Sequence, residues 1–458
     1  MARYQAADQS KVRPLLKFRV QNLGKVKRAE IQLAQLSILV GKNNTGKSYI
    51  ANLIWAFGSL RGLTEGSKGW PKWYAEFADP KSSATEHVIN IDEEKSADII
   101  KRVNKLFKTK GADFLSKVFA FNGFDETSLT IESPRHAPFL VRRTMVSSAQ
   151  NGVTERETIV SFSNDADGTF MEYTFPTELW GNRFFGNTFF EEIVNRVVLG
   201  DNPPRSSSPI LYIPAARTGL MLALSSLVTD SLGTKENGPV RELPQPLVAF
   251  LRQMARPPRH NPISKEAKQL ASWLGNNVAH GTIEPRDAPG AREFKYRPQG
   301  SRLELPLHAT SSMITELTPF LVSLDEGLRG RHIIFEEPEA HLHLEAQREM
   351  ARAIARLLSM GAQVTLTTHS DTFVQQINNL MSLHSHPNRS ALMERFGYER
   401  ADLIDPAQVE AYEFQPSSGG TEVRRLERTQ EGFVVESLNE TLMALATETL
   451  ALRESVND

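Results

Sequence analysis

The stretch Leu36–Ser48, LSILVGKNNTGKS, decides the fold. Its first five residues read as one continuously apolar strand, the pattern of a strand covered on both faces. The next eight match G-x-x-x-x-G-K-S, and SYIANLIWAFGSL then repeats Ile50, Leu53, Ile54 and Phe57 at helical spacing. Strand, glycine loop and helix in that order form the setting in which this motif is specific. Its glycines let backbone N–H groups face phosphates, and the N-terminus of the helix favours an anion. Gly41, Asn43, Asn44, Thr45, Gly46, Lys47, Ser48 and Tyr49 are therefore expected to cradle ATP. Lys47 is expected to reach the β- and γ-phosphates, and Ser48 to offer its hydroxyl to Mg²⁺, which prefers hard oxygen ligands.

A second apolar strand, HIIF, runs into Glu336 and Glu337, placing two carboxylates at the C-terminal edge where ligands of open α/β sheets gather. Glu336 is expected to ligate Mg²⁺ and Glu337 to activate the attacking water, by analogy with paired acids of phosphoryl transfer. Two solvated acids on a loop are the competing reading, and the apolar strand before them opposes it. His369 follows the strand VTLTT at another C-terminal edge, where a γ-phosphate sensor belongs. A lone histidine after a strand is more often structural; the two other motifs tip the balance.

GKNNTGKS, IIFEEPEAHLH and TLTTHS, in this order, resemble the Walker A, Walker B with D-loop, and switch-histidine segments of ABC-type P-loop ATPases. The branch they resemble holds the structural-maintenance-of-chromosomes (SMC) proteins, the RecF-like repair ATPases and the overcoming-lysogenization-defect (OLD) proteins. That resemblance implies an α/β ABC-type head with an antiparallel β lobe and a helical insertion in place of a long coiled coil. It also implies a head-to-tail homodimer in which one subunit's signature motif caps the other's ATP. The matching segment is ATSSMITEL, with Ser311 and Ser312 starting a helix and Met313 where a glycine is usual. Ala340–His343 would be the D-loop at the dimer interface. In YIPAAR, Arg217 is expected to contact nucleotide or interface, against the plainer reading of a structural salt bridge.

Around these motifs, LLKFRV and AEIQL read as a hairpin, residues 65–125 as mostly helical, and 127–176 as a β-meander whose clearest hairpin is TIVSFSNDADGTFMEYTF. Helical pieces follow over 218–280, and EFKYRPQGSRLELPL reads as a second hairpin. The implied division is an N-terminal ATPase lobe over 12–217, a helical insertion over 218–285, and a C-terminal ATPase lobe over 286–458. About 290 positions separate Lys47 from Glu337, more than a compact transporter head needs, and no heptad repeat fills the interval.

Composition narrows the function classes. Hydrophobic residues at 40% and charged residues at 23% are ordinary for a folded chain. The absence of cysteine removes disulfides, thiolate metal sites and cysteine nucleophiles. No apolar run reaches about 18 residues and no signal-peptide core opens the chain, so no membrane and a cytoplasmic location are expected. A net charge of −1 opposes a protein coated by nucleic acid, while Arg142, Arg143, Arg252, Arg256 and Arg259 remain candidates for phosphate contacts, with solvated loops favoured. His341 and His343, two apart, do not share a helix face as a metal pair would. OLD nucleases carry a Toprim domain after the switch histidine; no Asp-x-Asp follows His369, and Asp165-Ala166-Asp167-Gly168 reads as a turn, so no nuclease domain is expected.

The resemblance to OLD-like ATPases implies an ATP-driven switch that controls a separately encoded effector, a nuclease or toxin, as in the antiphage PARIS, Septu and retron systems. DNA or a phage protein is the possible trigger. A RecF-like DNA-repair clamp is the alternative. A transporter subunit would need a Gly-Gly signature that TSSM lacks, and a scaffold with purely structural ATP leaves Glu337 without a purpose.

Overall fold

The computed structural model describes residues 16–64, 70–79, 85–132, 138–150, 153–164, 168–181, 183–199, 210–224, 243–256, 264–288, 291–324, 331–430 and 432–454. The chain opens with the hairpin β1 (Lys17–Leu23) and β2 (Val26–Gln32), then β3 (Leu36–Val40) and helix α1 (Lys47–Phe57). Next come α2 (Arg61–Thr64), α3 (Lys72–Phe77), β4 (Glu86–Ile91), α4 (Glu93–Phe119), β5 (Ser128–Glu132), β6 (Phe139–Gln150), β7 (Val153–Asn164) and β8 (Gly168–Pro176). Helix α5 (Arg183–Leu199), β9 (Ile210–Ile213) and α6 (Arg217–Leu222) lead to α7 (Gln245–Ala255) and α8 (Lys265–Leu274). The strands β10 (Gly281–Ala288), β11 (Ala291–Pro298) and β12 (Leu305–Pro306) precede α9 (Ser312–Leu324), β13 (His332–Glu336), α10 (Leu344–Ser359) and β14 (Gln363–Thr368). Then follow α11 (Asp371–Ser385), α12 (Arg389–Phe396), β15 (Val409–Ser417), β16 (Gly420–Arg425) and α13 (Glu436–Glu454).

The fold is mixed α/β around one nine-stranded sheet of order β5-β1-β2-β16-β15-β3-β14-β13-β9. Its strands β15, β3, β14, β13 and β9 run parallel, each to its neighbour. Strand β3 explains the middle of the sheet. All five of its residues are buried, and their side chains alternate between two cores, Leu39 entering one and Leu36, Ile38 and Val40 the other. The first core packs α1, α4 and α5 with the β1–β2 hairpin; the second packs α9, α10 and α11.

Several expectations are corrected. Residues 65–125 hold the strand β4 as well as helix, since EHVINI pairs with β6 from Ile91↔Phe139 to Glu86↔Thr144. The meander is thus β4-β6-β7-β8, while β5 leaves it to pair with β1 in the large sheet. The hairpin EFKYRPQGSRLELPL forms with a short second arm, β11 pairing with β12 at Lys295↔Pro306 and Tyr296↔Leu305, and β10 adds a longer pairing to β11 that the sequence reading did not include. Strand β10 contains Pro285, and it is an edge strand, where a missing N–H is tolerated. The segment after His369 contributes β15, which lies beside β3 in the middle of the large sheet. The turn Asp165–Asp167, Arg259 and the loop at 201–209 lie outside the described residues. Among the described residues, no helix is long and apolar enough to cross a membrane.

Candidate functional site

Strand register brings the motifs together. Val40 is level with Thr368, Thr367 with Glu336, and Phe335 with Ile213. The residues that follow each strand therefore meet at one edge of the sheet: Gly41, His369, Glu337 and Pro214.

The phosphate loop turns on left-handed backbone. Gly41 has φ 150°, and a Cβ there would stand 2.7 Å from the Phe414 carbonyl; Gly46 has φ 94°, and a Cβ would meet Val26 at 2.8 Å. Gly46 also caps α1, whose first turn holds no acid that would compete for its free N–H groups. Asn43, Asn44 and Ser48 are exposed, while Thr45 is buried and donates its hydroxyl to the Lys42 carbonyl at 2.8 Å. The Lys47 ammonium donates to the carbonyls of Gly41 at 2.7 Å and Lys42 at 2.9 Å. Burial lowers its pKa, and Glu337, Glu339 and Glu336 oppose that. Tyr49 turns away from the loop. Its ring stacks on Phe119 at 5.4 Å and covers Gly24, where a Cβ would be 2.6 Å away.

Glu336 is 5% exposed, and burial raises its pKa against the opposing hydrogen bonds from Ser48, Tyr212 and the Ala215 N–H. Tyr212 donates to Oε2 at 2.7 Å, while Oε1 has no hydrogen-bond partner among the described residues. An orphaned carboxylate oxygen beside a serine hydroxyl fits a hard cation that takes its remaining ligands from phosphate and water. Among the described residues, no group of three or more His, Asp or Glu is arranged to hold a metal unaided.

Glu337 adopts φ 44°, an uncommon conformation for a residue with a side chain. Its N–H donates to the Thr367 carbonyl at 2.9 Å and to the Thr367 hydroxyl at 3.2 Å. That turn aims its carboxylate at His369, with Oε1 at 3.5 Å from Nδ1. The contact lowers the Glu337 pKa and raises that of His369, so both charged forms are favoured.

Arg217 does not face the loop. It is 1% exposed and sits behind the acids, donating to the carbonyls of Pro214 at 3.0 Å, Glu336 at 2.8 Å and Glu337 at 2.9 Å. Its Nε is 2.6 Å from Glu316 Oε2, and its guanidinium lies 5.1 Å from the Phe335 ring centre. This geometry is that of a buried strut. Ser311 and Ser312 are exposed at the start of α9. His343 caps α10 through Nδ1, and His341, with φ 58°, is 57% exposed at 3.9 Å from Glu316. Arg142 and Arg143 lie on β6 rather than a loop: Arg142 pairs with Glu86, and Arg143 is fully buried over Trp180.

Sequence reasoning left two site residues without a role. Tyr212 is carried by the strand of YIPAAR, and only sheet register shows that it meets Glu336. Glu339 has a visible signal, being the third acid of EEPE.

The sequence model of the AAA ATPase domain matches residues 15–136 and 274–374. No curated protein matches the chain. Among solved structures, an SMC head bound to the C-winged helix domain of ScpA is 13% identical, with a TM-score of 0.36, over 90% of this chain and 98% of that one. The SMC head domain from Thermotoga maritima is 13% identical, with a TM-score of 0.32, over 90% of this chain and 99% of that one. A Smc head with an extended coiled coil, bound to the C-terminal domain of ScpA derived from Pyrococcus furiosus, is 12% identical, with a TM-score of 0.34, over 95% and 99%. The two matched segments hold the phosphate loop, both acids and His369, so the similarity to the AAA ATPase domain falls on the residues that the sheet edge brings together.

Proposed function

We propose that this protein is an ATP-hydrolysing switch that works as a homodimer and controls a separately encoded effector, a nuclease or toxin, in antiphage defence. The observation that carries the ATPase part is the meeting of Lys47, Glu336, Glu337 and His369 at one sheet edge, with Glu337 and His369 in contact at 3.5 Å. In this reading the loop N–H groups and Lys47 bind the phosphates, and Ser48 and Glu336 hold Mg²⁺, which neutralises phosphate charge. Glu337, kept ionised by His369, orients the attacking water through its carboxylate. His369 then stands where it senses the γ-phosphate.

Ser311 and Ser312 are exposed at a helix N-terminus, which suits donation to the ATP of a second copy. Residues 218–285 are a helical insertion in this proposal. Effector control rests on the sequence resemblance to OLD-like ATPases. The test is recovery of tagged Glu337→Gln protein from its native host with and without ATP, with proteins and nucleic acids both identified. An ATP-dependent nuclease or toxin at fixed stoichiometry is expected. DNA alone, with no protein partner, would replace the switch with a repair clamp.

A further inference from the structure

Three carboxylates stand in four residues at the end of β13, and the third, Glu339, has no role in the reading above. It is 3% exposed, a costly place for a carboxylate. Its Oε1 accepts from the Thr368 hydroxyl at 2.6 Å and from the His369 N–H at 3.0 Å, and it lies 3.7 Å from His369 Nδ1. Oε2 has no hydrogen-bond partner among the described residues. One ring nitrogen, His369 Nδ1, thus faces two carboxylates, Glu337 at 3.5 Å and Glu339 at 3.7 Å, with Lys47 as the opposing charge. Pro338 joins the two acids and restricts the backbone between them.

We propose that Glu339 is a positioning residue for the hydrolytic pair: its carboxylate grips the end of β14 at Thr368 and His369, and so fixes where the imidazole stands relative to Glu337. The inference rests on Glu337 and His369 acting together at the γ-phosphate. A carboxylate that accepts both bonds through one oxygen holds side chain and main chain of consecutive residues at once. The strand end cannot then shift without breaking both. Burial raises the Glu339 pKa, while the two hydrogen bonds and His369 favour its charged form.

The test compares Glu339→Leu, which fills similar volume without an acceptor, with Glu339→Gln, whose amide oxygen still accepts both bonds. The Leu variant is expected to lose about 10- to 100-fold in kcat, the scale of a misplaced catalytic group, with KM moving less than about threefold. The Gln variant is expected to recover most of that loss. In nucleotide-free protein with ¹⁵N-labelled histidine, the His369 ring signals should move in the Leu variant and stay close to wild type in the Gln variant. Wild-type kcat in a folded Leu variant, unmoved His369 signals, or a Gln variant as slow as Leu would each overturn the proposal. Should Glu339→Leu not fold, Thr368→Val removes the shorter bond and must itself lower kcat. If the wild type hydrolyses no ATP, the ATPase reading fails, and the nucleotide-free spectra still decide whether Glu339 sets His369.

Discussion

Arg217 shows how a residue can brace a site from behind. Its guanidinium reaches the carbonyls of Pro214, Glu336 and Glu337 and pairs with Glu316, itself 2% exposed. No other side chain offers so many donors in a rigid fork. Arg217→Met leaves Glu316 buried without its counter-charge and should cost about 3–5 kcal/mol in chemical denaturation. Adding Glu316→Leu should restore a large part of that, and a double variant no better than the single one would refute the strut. His332 is a second buried ionisable group. It is fully enclosed, its Nε2 lies 2.8 Å from the Thr365 hydroxyl, and burial pushes its pKa down to about 3 from 6.5. Between those values the unfolded chain binds the proton and the folded one does not, so acidification favours unfolding. Going from pH 6.5 to pH 5, this histidine alone should remove about 2 kcal/mol of stability. Comparing the pH dependence of unfolding for wild type and His332→Phe isolates that share; parallel curves would contradict it.

At the scale of elements, the sheet edge was legible where the grammar is local. A continuous apolar strand followed by glycines and a helix, or by acids, can be read without a partner strand, so the positions of Gly41–Ser48, Glu336, Glu337 and His369 came from sequence. What sequence hid was pairing. EHVINI is too short to stand out beside the long helix α4, Pro285 weakens the strand signal of β10, and nothing local reveals that β15 lies against β3. Arg217 was misplaced for the same reason, since a strand-end arginine looks alike whether it points out or in. Gly41 joins the two levels, because its missing Cβ makes room for the Phe414 carbonyl on β15. Gly41→Ala meets both the φ penalty and that close approach, so it should destabilise by more than about 1 kcal/mol and weaken nucleotide binding together. Calorimetry with and without ATP would measure both, and unchanged values would refute the contact's importance.

Over the whole molecule, the first strands and the late strands β15 and β16 enter one sheet. Deleting residues from Asp405 onward removes β15 and β16 from between β3 and β2, and should leave no cooperatively folded domain by circular dichroism and thermal unfolding. Deletion from Glu436 onward should be mild. The described side chains of α13 are exposed, and its exposed Glu440–Lys42 pair at 3.5 Å is of a kind worth about 0–1 kcal/mol. A fully folded shorter fragment would show that the sheet tolerates an open middle.

That placement of β15 sets a timetable for the cell. A ribosome releases the glycine loop early, but the strand that backs Gly41 emerges only after some 370 further residues have been made. Until then the nascent chain has the glycine loop without the wall behind it, and an unfinished sheet exposes apolar surface and unpaired strand edges. Messages cut short between the glycine loop and β15 would yield polypeptides that lack the strand backing Gly41. Topology thereby ties the wall behind the glycine loop to the translation of β15.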